Sequence, residues 1–150
     1  MIRVGVIGAA GRMGATVCNA VHADSDLELV AAVDPQSPGA TIHGVTISSE
    51  LRALADAKVD VAVDFTVADA ARVTLPWLAM QFKKSFTNSN CLVAANFAIG
   101  AVLMMRFAEI AAPFFDTAEI VEIHHDAKAD SPSGTAITTA QRMAAASSSW

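Results

Sequence analysis

The sequence predicts an α/β protein: a parallel sheet flanked by helices, followed by the start of a smaller α+β unit. Three observations carry this expectation. Apolar runs of strand length alternate with stretches of helical apolar spacing through the first half of the chain. A glycine-rich turn, V-I-G-A-A-G-R-M-G, joins the first run to the first helical stretch. An aspartate, Asp34, closes the second run, 20 residues beyond the last glycine of that turn. Strands and helices alternating in this way pair in parallel through right-handed crossovers.

Met1 to Gly8 reads as a buried strand ending in glycine, and Gly11 to His22 as a helix with Met13, Val17, Cys18 and Val21 on one side. Leu27 to Val33 is a second strand, closed by Asp34-Pro35. Gln36 to Thr46, with Pro38, Gly39 and Gly44, reads as loop, and Ser48 to Ala57 as a helix capped by Ser48 or Ser49. Val59 to Phe65 is a third strand. Val67 to Met80 is a helix in which Pro76 conflicts with the pattern. The pattern changes near Phe97. A long apolar helix, Ile99 to Phe115, leads to a strand, Ala118 to His124, then a polar loop and a helix from about Gly134. This places a domain boundary after residue 97.

Composition excludes several function classes. The 150 residues are 53% hydrophobic and 17% charged, enough apolar material for a core, with a net charge of −5. No basic run exceeds Lys83-Lys84, which argues against nucleic acid and anionic membrane surfaces as partners. The apolar stretch Leu92 to Met105 is too short to span a bilayer and contains Asn96 and Gly100. The first apolar run is broken by glycines and lacks a signal-peptide flank, so a cytoplasmic protein is expected. Cys18 and Cys91, far apart in apolar surroundings, read as buried reduced thiols.

The glycine turn is the first chemical signal. Gly8, Gly11 and Gly14 sit at a strand-to-helix junction, where φ > 0 is accessible and a pyrophosphate can reach backbone N–H groups at a helix N-terminus. The spacing departs from G-x-G-x-x-G at Ala10, and such turns also arise for structural reasons alone. The strand before, the helix after and Asp34 beyond favour a Rossmann-type dinucleotide site. Asp34 would accept hydrogen bonds from the ribose hydroxyls, which favours NADH; its bland reading, a strand-ending turn acid, is compatible with that role. Arg12 could receive a 2′-phosphate, so NADPH remains open.

The second signal is E-I-H-H-D-A-K-A-D-S-P-S-G-T-A, from Glu122 to Ala136. Alternation along a strand puts Ile120, Glu122 and His124 on one face and His125 on the other. Neighbours pointing apart chelate one metal poorly, so no metal is expected; the only set worth weighing is His124, Asp126 and Asp130. Proton chemistry fits better, with Lys128 as a second donor. Ser133 reads as an ordinary N-cap and Gly134 as an ordinary turn residue. Those readings leave unexplained a proton donor, two cationic groups and a helix N-terminus within a dozen residues. Together with the Thr135 hydroxyl, that N-terminus forms a carboxylate cradle, and the loop suits a small dicarboxylate that must be protonated.

With these residues assembled, the chain resembles the dihydrodipicolinate reductase (4-hydroxy-tetrahydrodipicolinate reductase) family of diaminopimelate and lysine biosynthesis. Four motifs match in order: G-A-A-G-R-M-G, V-D-F-T, A-A-N-F-A-I-G and the histidine loop. The resemblance implies that His124 is the proton donor, Lys128 a further donor, and His125, Gly134 and Thr135 substrate ligands. It implies a cofactor site of Gly8, Ala9, Ala10, Gly11, Arg12, Met13, Asp34, Phe65, Thr66, Ala94, Ala95, Asn96 and Phe97, though Phe65 and Phe97 also fit plain core packing. It implies a homotetramer that reduces a cyclic imine dicarboxylate with NADH or NADPH, residues 1–97 binding the dinucleotide and 98–150 starting the substrate domain.

Three departures accompany the match. The family's Gly-Thr-Thr-Gly turn, expected between V-D-F-T and A-A-N-F, is missing; the chain stops soon after the histidine loop; and its S-S-S-W tail matches nothing in the family. They point to an incompletely represented reductase rather than a degenerate copy. The competing readings are another NAD(P)-dependent oxidoreductase, for which Cys91 is the sole candidate nucleophile, and a nucleotide-binding remnant without turnover.

Overall fold

Strand β1 (Ile2–Ile7) is an interior strand of the sheet, which explains its nearly unbroken apolar sequence. It pairs in parallel with β2 (Leu27–Val33) on one side and with β5 (Val61–Asp64) on the other. Beyond β2 the sheet continues to β4 (Val45–Ser48), also parallel, and to β3 (Thr41–Ile42), antiparallel at the edge. The order β3-β4-β2-β1-β5 is the mostly parallel, Rossmann-like arrangement that the sequence predicts. The computed structural model describes residues 1–85, 91–126, 128 and 131–147, in two compact units, Met1–Ser89 and Asn90–Trp150.

Helices cover both faces of the sheet. On one, α1 (Arg12–Ala23) sets Cys18 and Val21 against Val4, Val6, Ala32 and Ile47. Burial pushes the Cys18 thiol up, so it stays protonated and inert. On the other face, α2 (Arg52–Asp56) buries Leu54 against Ile7, Ala31 and Val33, with Trp77 and Leu78 of α3 (Ala68–Ser85) alongside. Pro76 lies inside α3. It withholds one N–H, and packing of the neighbouring Trp77 and Leu78 on the sheet offsets the loss.

The stretch expected to be loop and then helix contains a small hairpin instead. His43 and Gly44 both take positive φ, 48° and 81°, the geometry of a tight two-residue hairpin turn. The hairpin is held by burial of Ile47 in the core and by His43, which stacks on His22 of α1 at 4.0 Å between ring centroids. Ser48 therefore belongs to β4; its hydroxyl accepts from the Glu50 N–H, and α2 starts only at Arg52.

The second unit consists of α4 (Ile99–Ala111), a 3-10 turn (Ala112–Phe114) and α5 (Gly134–Ala146), with Met105, Ala112 and Thr139 buried. Arg142 of α5 lies 3.9 Å from Glu109 of α4. Ala118 to His124, expected as a strand, is not one here. Its alternation persists, with Glu122 shielded and Val121 and Ile123 at 82% and 90% exposure, yet no strand pairs with it among the described residues. A strand exists only when a neighbour takes up its backbone groups. Cys91 corrects a second expectation, because it is exposed. Among the described residues no helix is long and apolar enough to cross a membrane.

Candidate functional site

In the first unit the expected cofactor residues meet at the carboxyl ends of β1, β2 and β5, where open parallel sheets bind ligands. Gly8 ends β1 with φ +75°, and both its N–H and that of Ala9 donate to the Val33 carbonyl, at 2.8 and 3.2 Å. A Cβ on Gly14 would fall 1.9 Å from the Gly8 carbonyl oxygen, so α1 abuts the turn at backbone distance. The α1 N-terminus receives no side-chain cap, and Arg12 and Met13 of its first turn are exposed. This cradle of bare backbone suits a dinucleotide pyrophosphate.

Asp34, 7% exposed, accepts from the Ala10 N–H at 3.0 Å through one oxygen and from the Gln36 N–H at 2.9 Å through the other. It closes its own turn and ties the glycine turn to the end of β2. Thr66 leans on the other side of the glycine turn, its methyl 3.0 Å from where a Gly8 Cβ would stand. Asp64, which sequence reasoning passed over, positions Thr66. One carboxylate oxygen accepts from the Thr66 N–H and hydroxyl at 2.8 and 2.6 Å, and the other accepts a short hydrogen bond from the Thr74 hydroxyl of α3. An acid ending a strand before a threonine was the available signal.

In the second unit a cavity of about 500 Å³ is lined by Ala95, Asn96, Glu122, His124, His125, Lys128, Ser133, Gly134, Thr135 and Ala136. All five residues expected to handle substrate are there. His125 was expected to face away from His124. The chain leaves extended geometry and turns at Asp126, with the Lys128 N–H donating to the His125 carbonyl at 3.1 Å, and both histidines are among the residues lining one cavity. Ala95 and Asn96 join them. Asn96 donates through Nδ2 to the Thr135 hydroxyl at 3.2 Å, while its Oδ1 accepts from the Ala98 N–H at 2.8 Å. Ala94 and Phe97 are exposed beside these residues.

The α5 N-terminus forms one end of the cavity. Ser133 caps the helix, its hydroxyl accepting from the Ala136 N–H at 3.1 Å, while its own N–H donates to Glu122 Oε1 at 2.8 Å. The other Glu122 oxygen lies 3.8 Å from His124 Nδ1. The Ser133 hydrogen bonds, first, and the nearby His124 and Lys128 charges hold the Glu122 carboxyl below the usual carboxylate range, against an opposing effect of burial. Sequence reasoning put Glu122 on the His124 face without giving it a part, because nothing local shows that its carboxylate reaches a loop 11 residues away. Asp130, of the candidate metal set, lies outside the described residues; among those described no three His, Cys, Asp or Glu are placed to hold a metal ion.

Two family models match the chain. Residues 2–87 match the family model for the dihydrodipicolinate reductase N-terminus, and residues 100–149 match the one for its C-terminus. The chain is 44% identical to a 4-hydroxy-tetrahydrodipicolinate reductase of Cutibacterium acnes and 45% to one of Mycobacterium marinum, in each case over 97% of its own length. It spans about 62% of the first of these and 63% of the second. The alignment with the first runs over 167 positions, more than this chain's 150 residues, so that relative carries segments with no counterpart here. Among solved structures, a dipicolinate-bound dihydrodipicolinate reductase from Paenisporosarcina sp. TG-14 superposes with a TM-score of 0.72 at 34% identity, over 100% of this chain and 68% of that one.

Proposed function

The chain belongs to the dihydrodipicolinate reductase family, and from that premise we propose that it performs the NAD(P)H-dependent reduction of 4-hydroxy-tetrahydrodipicolinate to tetrahydrodipicolinate in diaminopimelate and lysine biosynthesis. The observation that carries the proposal is the convergence of His124, His125, Lys128 and the α5 N-terminus on one cavity. Residues 1–97 serve as the dinucleotide-binding domain and 98–150 as the start of the substrate domain. The compact division comes a little earlier, because Asn96 is bonded to Thr135.

NAD(P)H, when bound, supplies the hydride; Gly8 to Met13 would hold its pyrophosphate, and the family resemblance adds Phe65, Thr66 and Ala94 to Phe97 to the cofactor residues. Loss of the 4-hydroxyl as water leaves an unsaturated cyclic imine dicarboxylate, to which one hydride and one proton are added. His124 delivers the proton and Lys128 is a further donor. His125, Thr135 and the N–H groups at Gly134 hold the carboxylates, aided by the helix dipole. NADH is favoured over NADPH, since the Asp34 carboxylate at the end of β2 repels a 2′-phosphate. The working form is a homotetramer, as the family resemblance implies, in the cytoplasm, as expected for reduced thiols.

Steady-state kinetics on the full-length protein test this. His124→Ala is expected to lower kcat by about 10²–10⁴-fold with little change in KM. Near-normal kcat in that variant, or activity abolished by a chelator, overturns the assignment. Nucleotide binding without substrate-dependent NADH oxidation in the unaltered protein points to a non-catalytic remnant instead. Asp34→Asn is expected to narrow the preference for NADH; unchanged affinities for both cofactors make Asp34 a turn residue only.

A further inference from the structure

Glu122 has no part in the reaction as set out above, yet it is placed between the two halves of the cavity. One carboxylate oxygen holds the Ser133 N–H at the head of α5, at 2.8 Å. The other is sealed from solvent, makes no hydrogen bond among the described residues, and lies 3.8 Å from His124 Nδ1. A fixed negative charge on the wall of a dicarboxylate pocket opposes binding, so its presence calls for a compensating role. Its neighbours supply the compensation: hydrogen bonding by Ser133, side chain first and then backbone N–H, followed by the His124 ring and the Lys128 ammonium, favours the ionised form. By taking up the Ser133 N–H it also leaves the donors deeper in the helix, at Gly134 and Thr135, for the ligand.

We propose that Glu122 is a positioning residue, a brace that joins the proton donor to the anion cradle and holds His124 with its proton on Nδ1, so that Nε2 is the atom that delivers a proton. The hydrogen bond or charge at one ring nitrogen decides the role of the other, and a carboxylate beside Nδ1 selects Nδ1–H. The inference rests on the reading of His124 as the proton donor. A purely structural Glu122 would need only the Ser133 bond; its second oxygen would have no reason to lie dry beside the imidazole.

Two variants separate the brace from the tautomer. Glu122→Gln keeps a carbonyl oxygen for the Ser133 N–H but turns an amide NH2 toward Nδ1, which favours the opposite tautomer. Glu122→Ala removes both. Long-range ¹⁵N–¹H NMR of histidine-labelled protein is expected to show neutral His124 with its proton on Nδ1 in the unaltered protein and on Nε2 in Glu122→Gln. Kinetics are expected to show kcat lowered about 10–100-fold in Glu122→Gln at nearly constant substrate KM, and lower kcat with raised KM in Glu122→Ala. An unchanged tautomer together with unchanged kcat in Glu122→Gln overturns the proposal. Absence of reductase activity in the unaltered protein overturns the functional reading instead, and the NMR result still decides whether Glu122 sets the His124 tautomer.

Discussion

The glycine turn and the histidine cavity are built by different means. At the glycine turn, backbone holds backbone: Gly8 and Ala9 bond to Val33, Gly11 bonds to Gly8, and the ladder of β1, β2 and β5 fixes all three strand ends. Beneath them lie two apolar clusters, one on each face of the sheet. At the histidine cavity no strand ladder stands behind the residues, among those described. Side chains do the joining, Asn96 to Thr135, Glu122 to Ser133 and Ser133 to Ala136. The first site therefore inherits its geometry from the core, whereas the second depends on a few polar contacts, each of modest net worth. Damage to the first should appear as lost stability, and damage to the second as lost chemistry.

The largest expected effect tests the first half of that contrast. Leu54 is 1% exposed and packs against Ile7, Ala31 and Val33, so Leu54→Ala is expected to destabilise by about 2–5 kcal/mol. Chemical denaturation measures this, and a loss below about 1 kcal/mol would mean that the sheet is not the rigid frame described. A middling effect tests the second half. Thr135→Val leaves Asn96 Nδ2 without its partner and removes a cradle hydroxyl. Substrate KM is expected to rise about tenfold with kcat nearly kept, and stability to fall by only about 0.5–1.5 kcal/mol. A large stability loss would show that the cavity, too, is part of the core.

The smallest effect concerns pH. The Glu122 carboxyl is held below its ordinary value, so the tie to Ser133 is complete above the unfolded-state pKa and is lost as pH falls through the lower folded value. The groups facing it are Ser133, His124 and Lys128. Exchange of the Ser133 amide with solvent, followed by NMR, is expected to quicken only below the ordinary carboxylate range. Quickening at neutral pH would mean that another group holds the turn.

How much was legible in advance follows the same divide. The strands β1 and β2, helix α1, the glycine turn and the placing of Asp34 and Thr66 at the sheet's carboxyl edge could be read because periodicity and turn glycines act over a few residues. The histidine motif could be read as one site for a similar reason: its members lie within a dozen positions along the chain. The β3–β4 hairpin escaped because His43-Gly44 is a weak turn signal, and what selects the hairpin is burial of Ile47 and stacking on His22. The extended run before His124 was misread as a paired strand because alternation reports which way side chains point and says nothing about whether a neighbour takes up the backbone.

Sequence alone thus determined the fold class, the glycine turn and which side chains are the candidates for the chemistry, since each depends on residue type and short-range spacing. Only tertiary structure decided that both histidines line one cavity, that Asp64 positions Thr66, and that Glu122 spans from Ser133 to His124. Those relations join parts of the chain through single polar contacts whose partners depend on how the backbone turns, and no local pattern of residues encodes that path.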